Sequence, residues 1–229
     1  MQRLLGKIAL VTGGSSGIGA ACATALAAEG AGVIACGRRF APGVVASPGF
    51  GAVEPAQLDV TDERAVTALF DQLPEVEILV VSAGTGTFAP IASATAAELR
   101  AMLEVHVVGT HNCARAALRH MMPRKRGHIV IVNSHVAHRA FVDCGGYTAA
   151  KAGQLGLARV LAEEARPYNI RVTSLLPGAT DTPIWDDRPG FDRAKMMSPA
   201  DVAGFLVAIV ARPGIAVEEV TLTPPGGAL

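Results

Sequence analysis

The sequence predicts a doubly wound α/β fold, one domain over residues 1–229 built on a parallel seven-stranded sheet. Three observations predict it. Short β-rich runs alternate with Ala-rich helical stretches, the pattern of successive βαβ units. Several of those runs are near-continuously apolar, as strands covered on both faces are. A glycine-rich turn, Thr12-Gly13-Gly14-Ser15-Ser16-Gly17-Ile18-Gly19, joins the first strand-like run to the first helix. Composition agrees: 50% hydrophobic residues against 17% charged can fill a sizeable core, which excludes a disordered chain.

Lys7–Thr12 is the first predicted strand and Gly17–Glu29 the first helix. Between them Gly13 permits a tight turn, Gly17 lets backbone approach a pyrophosphate, and Gly19 allows close helix–strand packing. Ser15, Ser16 and Ile18 complete the turn where the helix start offers free N–H groups and a positive dipole end to an anion. A glycine-rich turn alone is a weak signal. Its strand–turn–helix setting makes this one a Rossmann-type, dinucleotide-binding turn. The spacing T-G-x-x-x-G-x-G resembles the cofactor turn of the short-chain dehydrogenase/reductase family, and the later motifs extend that resemblance over essentially the whole chain.

Gly32–Cys36 is the second strand, followed by Gly37-Arg38-Arg39. NAD enzymes usually place a carboxylate here for the adenosine 2′-hydroxyl. No Asp or Glu occurs between Gly30 and Val53. The guanidinium groups of Arg38 and Arg39 match a 2′-phosphate in geometry and charge, where a carboxylate would repel it. NADP(H) is therefore expected in preference to NAD(H), against the alternative of a solvated arginine pair. Next, Ala41–Gly51 holds Pro42, Pro48 and three glycines, which predicts no helix and a trimmed second βα unit. One sheet face would then be partly uncovered, or covered by a loop or a partner. Val53–Leu58 is the third strand and Asp62–Gln72 the next helix. Between them the resemblance puts Asp59 on the adenine edge with Val60 beside it; a helix N-cap role competes for Asp59.

Glu77–Ser82 is the fourth strand. The family's N-N-A-G after it reads Val81-Ser82-Ala83-Gly84, so Ala83 and Gly84, which by resemblance border the cofactor, are kept and the Asn is not. One long helix is expected over Ala96–Met121. In it the family's N-V-x-G reads His106-Val107-Val108-Gly109, so His106 stands where the family has its fourth catalytic residue, an Asn. His106 either keeps the family's proton relay, adds a group titrating near neutrality, or is a packed or solvent-facing histidine.

His128–Asn133 is the fifth strand, with Ser134 at its end. The helix Gly146–Ala165 carries Tyr147-Thr148-Ala149-Ala150-Lys151, the family's Y-x-x-x-K, with Ser134 thirteen residues before Tyr147, the family's spacing for its catalytic Ser. Positions i and i+4 share a helix face, so Tyr147 and Lys151 can serve one site. Reducing a carbonyl needs a hydride on carbon and a proton on oxygen. Tyr147 can deliver the proton if its pKa falls from about 10, and the Lys151 ammonium is expected to lower it. By resemblance Lys151 also bonds the nicotinamide ribose. Ser134 can donate to the substrate oxygen as charge develops there.

Arg171–Leu176 is the sixth strand. Pro177-Gly178-Ala179-Thr180-Asp181-Thr182 after it resembles the family's P-G-x-x-x-T, whose last Thr meets the nicotinamide carboxamide, a role Thr182 takes here. Pro183–Met197 is the expected lid, apolar at Trp185 and Phe191 and of mixed charge at Asp186, Asp187, Arg188, Asp192, Arg193 and Lys195. Its shortness favours a small substrate. Pro199–Ala211 is the last helix and Val217–Leu222 the last strand; Val217–Pro225 resembles the family subset acting on small hydroxy acids and amino-alcohol-like compounds.

The formal net charge is zero, and Arg124-Lys125-Arg126 reads as a solvated helix end, so no nucleic-acid partner is expected. Cys22, Cys36, Cys113 and Cys144 lack C-x-x-C spacing, so no metal is expected and reduced thiols in the cytoplasm are. The N-terminus has no apolar h-region with a cleavage site, and Gly, Pro or charge breaks every candidate membrane span. The resemblance implies an NADP(H)-dependent carbonyl reductase or alcohol dehydrogenase with a small-molecule substrate. The alternatives are a cofactor-binding protein with little catalysis, and a non-redox dehydratase or epimerase. It also implies a homodimer or homotetramer, with helices Ala96–Met121 and Gly146–Ala165 pairing through small residues such as Ala149, Ala152, Gly153 and Gly156.

Overall fold

The computed structural model describes residues 2–43, 48–73, 75–186, 188 and 190–227. Seven strands, β1 (Ile8–Thr12), β2 (Gly32–Gly37), β3 (Val53–Gln57), β4 (Val76–Val81), β5 (Gly127–Val132), β6 (Ile170–Pro177) and β7 (Glu219–Leu222), form one parallel sheet. Their order is β3-β2-β1-β4-β5-β6-β7. The order reverses between β1 and β4, and a doubly wound sheet opens a crevice at the C-terminal ends of the strands at that point.

The helices are α1 (Gly17–Ala28), α2 (Glu63–Gln72), α3 (Ala96–Leu103), α4 (Gly109–Met121), α5 (Gly145–Ala165) and α6 (Pro199–Val210). Side chains alternate faces along a strand, and β1 shows the result. Ala9 and Val11 join Cys22, Leu26, Val202 and Leu206 of α1 and α6 in one cluster. Ile8 and Leu10 join Phe70, Ala117 and Leu161 of α2, α4 and α5 in the other. Each large side chain so buried stabilises the fold by about 1.5–3 kcal/mol.

The second βα unit is trimmed. No helix occurs between β2 and β3 among the described residues; Val44–Ser47, part of the span expected to lack one, lie outside them. Pro48 covers the start of β2 so closely that a Cβ on Gly32 would lie 2.9 Å from its carbonyl oxygen. β3 is the edge strand, and its Val53, Pro55 and Gln57 are exposed on one face. An edge strand tolerates Pro55 because no further strand needs its missing N–H.

The expectation of one continuous helix over Ala96–Met121 is corrected. A π-turn at Glu104–Val108 separates α3 from α4, and the Gly109 N–H bonds to the Glu104 carbonyl five residues back. A π-turn carries one extra residue in a helix turn and widens it locally. Hydrophobic periodicity does not register one added residue in a long helix, so the sequence reads as continuous. Gly109 then lets the chain close on the strand layer, where a Cβ would lie 2.6 Å from Val60 Cγ2. No described helix is long and apolar enough to cross a membrane.

Candidate active site

The glycine-rich turn lies at the C-terminal end of β1. Gly13 has φ 68°, and a Cβ there would stand 2.5 Å from the Ser82 carbonyl oxygen. The strand before it ends in Thr12, whose hydroxyl accepts bonds from the Ser82 and Ala83 N–H groups at 3.0 and 3.1 Å. Thr12 thus stitches the turn to Ala83–Gly84 after β4. A Cβ on Gly19 would run into the Gly13 carbonyl, so α1 can lie directly on the turn. Ser16, the α1 N-cap residue, caps nothing with its side chain. The first N–H groups of the helix are left for an anion.

Arg39 reaches back over this turn. Its guanidinium donates to Ser15 Oγ at 3.2 Å and to Ser16 Oγ at 2.6 Å. Two hydroxyls and a guanidinium therefore meet beside an uncapped helix start, a donor set suited to phosphate. Arg38 is exposed and its charge helps to hold the Asp59 carboxyl below its usual range. The larger cause is the Thr61 N–H, which Asp59 accepts at 3.0 Å. The competing N-cap role falls instead to Asp62, which accepts from Arg64 and Ala65. Asp59 is left in a local turn at the end of β3. Val60 is buried, and Asn112 Nδ2 donates to its carbonyl at 3.0 Å.

Ser134, Tyr147 and Lys151 come together beside β5. Asn133 holds the junction: its Oδ1 accepts from the Ser134 N–H at 2.7 Å, and its Nδ2 donates to the Lys151 carbonyl at 3.2 Å. Lys151 is buried. Its ammonium donates to the Val132 carbonyl at 3.0 Å and to Gln154 Oε1 at 2.9 Å. Gln154 donates to Thr110 Oγ1 at 2.7 Å, and Thr110 donates to the His106 carbonyl at 2.6 Å. Burial brings the Lys151 pKa down to about 7.

Burial also pushes the Tyr147 phenol up to about 12. The Ser134 hydroxyl beside it pulls the other way, and so does the positive charge of Arg188. The expected lowering by Lys151 is absent. Its Nζ lies 5.9 Å from the Tyr147 ring centroid and is spent on Val132 and Gln154.

His106 is 1% exposed. Its Nε2 lies 2.7 Å from the Thr85 carbonyl oxygen, and a Cβ on Gly84 would be 2.9 Å from its Cε1. Its ring meets Tyr147 edge-on, with centroids 5.6 Å apart. Burial, reinforced by the Lys151 charge, brings its pKa down to about 3. The expectations of a solvent-facing histidine and of a group titrating near neutrality are therefore corrected. His106 is a neutral spacer between the Ala83–Thr85 segment and Tyr147.

Thr182 follows β6, and a Cβ on Gly17 would lie 3.2 Å from its Cγ2. Pro177 closes β6, and the Gly178 N–H bonds to the Leu222 carbonyl. The buried Thr180 accepts through its carbonyl from Trp185 Nε1 at 2.9 Å, which anchors the lid. The glycine-rich turn thus meets the β4 end at Ser82–Ala83 and the segment after β6 at Thr182, and the β4 end reaches Tyr147 through His106. Sequence reading missed Thr12, Asn133, Thr110, Gln154, Phe88 and any particular role for Arg188. Thr12 and Asn133 had a signal, a polar residue ending an apolar strand beside a motif. The others depend on contacts across the fold.

Residues 7–190 match the family described as short chain dehydrogenase. An uncharacterized oxidoreductase of Staphylococcus saprophyticus is 33% identical over 234 residues, 98% of this chain and 100% of that protein. A cis-4-hydroxycyclohexanecarboxylate dehydrogenase of Sinomonas cyclohexanicum is 36% identical over 199 residues, 83% of this chain and 80% of that protein. An alcohol dehydrogenase from the archaeon Thermococcus sibiricus, solved in complex with 5-hydroxy-NADP, superposes with a TM-score of 0.83 at 25% identity, covering 96% of this chain and 97% of that chain. Fold, site and relatives agree: the chain belongs to the short-chain dehydrogenase/reductase family. It is an oxidoreductase of that family, whose members generally transfer hydride between an alcohol or carbonyl compound and a nicotinamide cofactor.

Proposed function

We propose that the protein interconverts a small carbonyl compound and its alcohol, with NADP(H) preferred over NAD(H) and Tyr147 as acid/base. The observation that carries this reading is the meeting of Ser134, Tyr147 and Lys151 at the end of β5, with His106 linking Tyr147 to the Gly84 segment that the glycine-rich turn packs against. The turn accommodates a pyrophosphate at Gly13–Gly19, and Arg39 with Ser15 and Ser16 suits an adenosine 2′-phosphate. Arg38, Asp59, Val60, Ala83, Gly84, Gly178 and Thr182 would line the rest of the cofactor. When bound, the nicotinamide supplies the hydride to the carbonyl carbon.

In the reducing direction the Tyr147 hydroxyl gives its proton to the substrate oxygen, and Ser134 donates a hydrogen bond to that same oxygen as charge develops. Lys151, held by Val132 and Gln154, would bond the nicotinamide ribose with its remaining N–H. His106 positions Tyr147 and the Ala83–Thr85 segment and moves no proton. We place the enzyme in the cytoplasm, supported by its four free cysteines. We also assign it a two-fold assembly. Ala149, Ala152, Gly153 and Gly156 all lie exposed along α5, and Val160 of the same helix is 55% exposed.

Two measurements test the reading. Tyr147→Phe should lower turnover by about 10²–10⁴ while NADPH binding stays near the wild-type value. If it retains more than about a tenth of wild-type turnover, below the range of general acid catalysis, Tyr147 is not the acid, and a cofactor-binding protein with little catalysis becomes the better reading. Dissociation constants should favour NADPH over NADH. Arg39→Ala should erase about tenfold or more of that preference, the loss of a charge-assisted bond to phosphate. Equal binding of the two cofactors by the wild type would remove the NADP assignment.

A further inference from the structure

We propose that Arg188 is the anchor for a carboxylate on the substrate, so that the alcohols and carbonyl compounds this enzyme takes are hydroxy acids and oxo acids. The proposal rests on the assignment of Tyr147 to the reacting oxygen and adds the group that the rest of the substrate must carry.

Arg188 lies in the lid that follows Thr182. Its guanidinium stacks on the ring of Phe88 and stands 5.3 Å from the Trp185 ring centroid. Phe88 in turn packs against Tyr147, with centroids 5.1 Å apart. The cation therefore sits one aromatic ring away from the candidate acid. Its charge is felt at both Tyr147 and Cys144.

Among the described lid residues the other two cations are engaged. Arg193 pairs with Asp181 and Asp186 at 2.5 and 2.8 Å, and Lys195 lies 3.5 Å from Asp192. Arg188 pairs with no carboxylate among the described residues. Its Nη2 is sealed from solvent and has no hydrogen-bond partner among them. A buried guanidinium nitrogen without an acceptor is costly. A planar carboxylate is the acceptor that a guanidinium fork matches best.

The cofactor does not supply that acceptor on this geometry. On the proposed function its phosphates would be held at Ser15, Ser16 and Arg39, which meet at the start of α1, and its nicotinamide by Thr182, which lies beside Gly17. Arg188 is instead on the Phe88 and Tyr147 side. A substrate whose oxygen meets Tyr147 and whose carboxylate reaches across Phe88 would complete both groups.

The test uses the full chain in the presence of NADP⁺. Cyclohexanecarboxylate and cyclohexanecarboxamide, two unreactive probes of one shape, are titrated by calorimetry. Turnover is then compared for 3-hydroxybutyrate and for 4-hydroxycyclohexanecarboxylate, each against its own carboxamide. The wild type should bind the carboxylate about tenfold or more tightly than the amide, the worth of one charge-assisted bond. The ratio of kcat/KM for acid over amide should follow. Arg188→Gln should bring both ratios close to one, and Arg188→Lys should restore part of each. Equal binding of the two probes by the wild type overturns the proposal. So does an acid preference that survives in Arg188→Gln, or an Arg188→Gln variant that loses NADP⁺ affinity instead. Carboxylate selectivity in binding without turnover of any alcohol supports the anchor and counts against the oxidoreductase reading of Tyr147.

Discussion

At the scale of single residues, burial decides which groups can titrate where the enzyme works. Lys151, at about 7, changes charge near neutrality, whereas His106, at about 3, does not. Burial moves Tyr147 up to about 12, so alcohol oxidation by the wild type should rise with pH towards that range, and His106→Asn should leave every inflection above pH 6 in place. The same burial makes a prediction about stability. In the fold His106 stays unprotonated down to about 3, while in the unfolded chain it binds a proton below its ordinary 6.5. The unfolded state therefore gains protons first as pH falls, and stability is lost progressively from about pH 6.5 towards 3. For His106 alone the loss between pH 7 and pH 5 is about 2 kcal/mol. His128, buried and also lowered to about 3, contributes in the same direction. Urea unfolding at the two pH values should show the difference shrinking by about 2 kcal/mol in His106→Asn. An unchanged difference would mean that folding does not lower the His106 pKa.

At the scale of elements, the site depends on two close approaches that side chains would block. One is α1 on the glycine-rich turn. A Cβ on Gly19 has no room against the Gly13 carbonyl, so Gly19→Ala must push α1 off β1. Overpacking of this kind costs about 1–3 kcal/mol. Because the first N–H groups of α1 move with it, NADPH affinity should fall too; thermal unfolding and cofactor titration check both. The other is Gly109 after the π-turn, where a Cβ would lie 2.6 Å from Val60 Cγ2; beside it Thr110 donates to the His106 carbonyl and through Gln154 reaches Lys151. Thr110 and Gln154 are buried polar residues whose partners are all supplied within this chain of contacts. They fix the Lys151 side chain rather than take part in the chemistry.

At the scale of the whole molecule, α4 and α5 leave one face open. Val108 of the π-turn and Val160 of α5 are 38% and 55% exposed, and the α5 residues between Ala149 and Gly156 on that face are small. Small side chains let two copies of a helix approach closely, and a two-fold contact is the commonest way to close such a face. Light scattering at micromolar concentration should give a dimer or a tetramer. Val160→Glu, which puts a charge on the proposed contact face, should shift the mass towards the monomer. A monomeric wild type would leave these residues without the proposed partner.

Much of this architecture is written locally. The apolar runs of β1, β2, β4 and β5 and the amphipathic α2 follow from side-chain periodicity, which any chain of that pattern obeys. The turn at Gly13–Gly19 and the Tyr147–Lys151 spacing are equally legible, because each needs only a few consecutive residues in one geometry. The trimmed second unit was legible from Pro42, Pro48 and the glycines, since proline and glycine act on their own backbone. What only the tertiary structure decided are contacts between distant segments and the electrostatics they create. The π-turn at His106 costs no change of residue type that the sequence would display. The loss of titration at His106 and the drop of Lys151 to about 7 come from burial, which a lone sequence position does not carry. Arg188, one charge among several in the lid by sequence, is singled out because Arg193 and Lys195 pair with Asp181, Asp186 and Asp192 and Phe88 links it to Tyr147. Periodicity and turn chemistry act within a few residues and survive in the sequence; desolvation and charge pairing act through space, so they exist only once the chain has closed on itself.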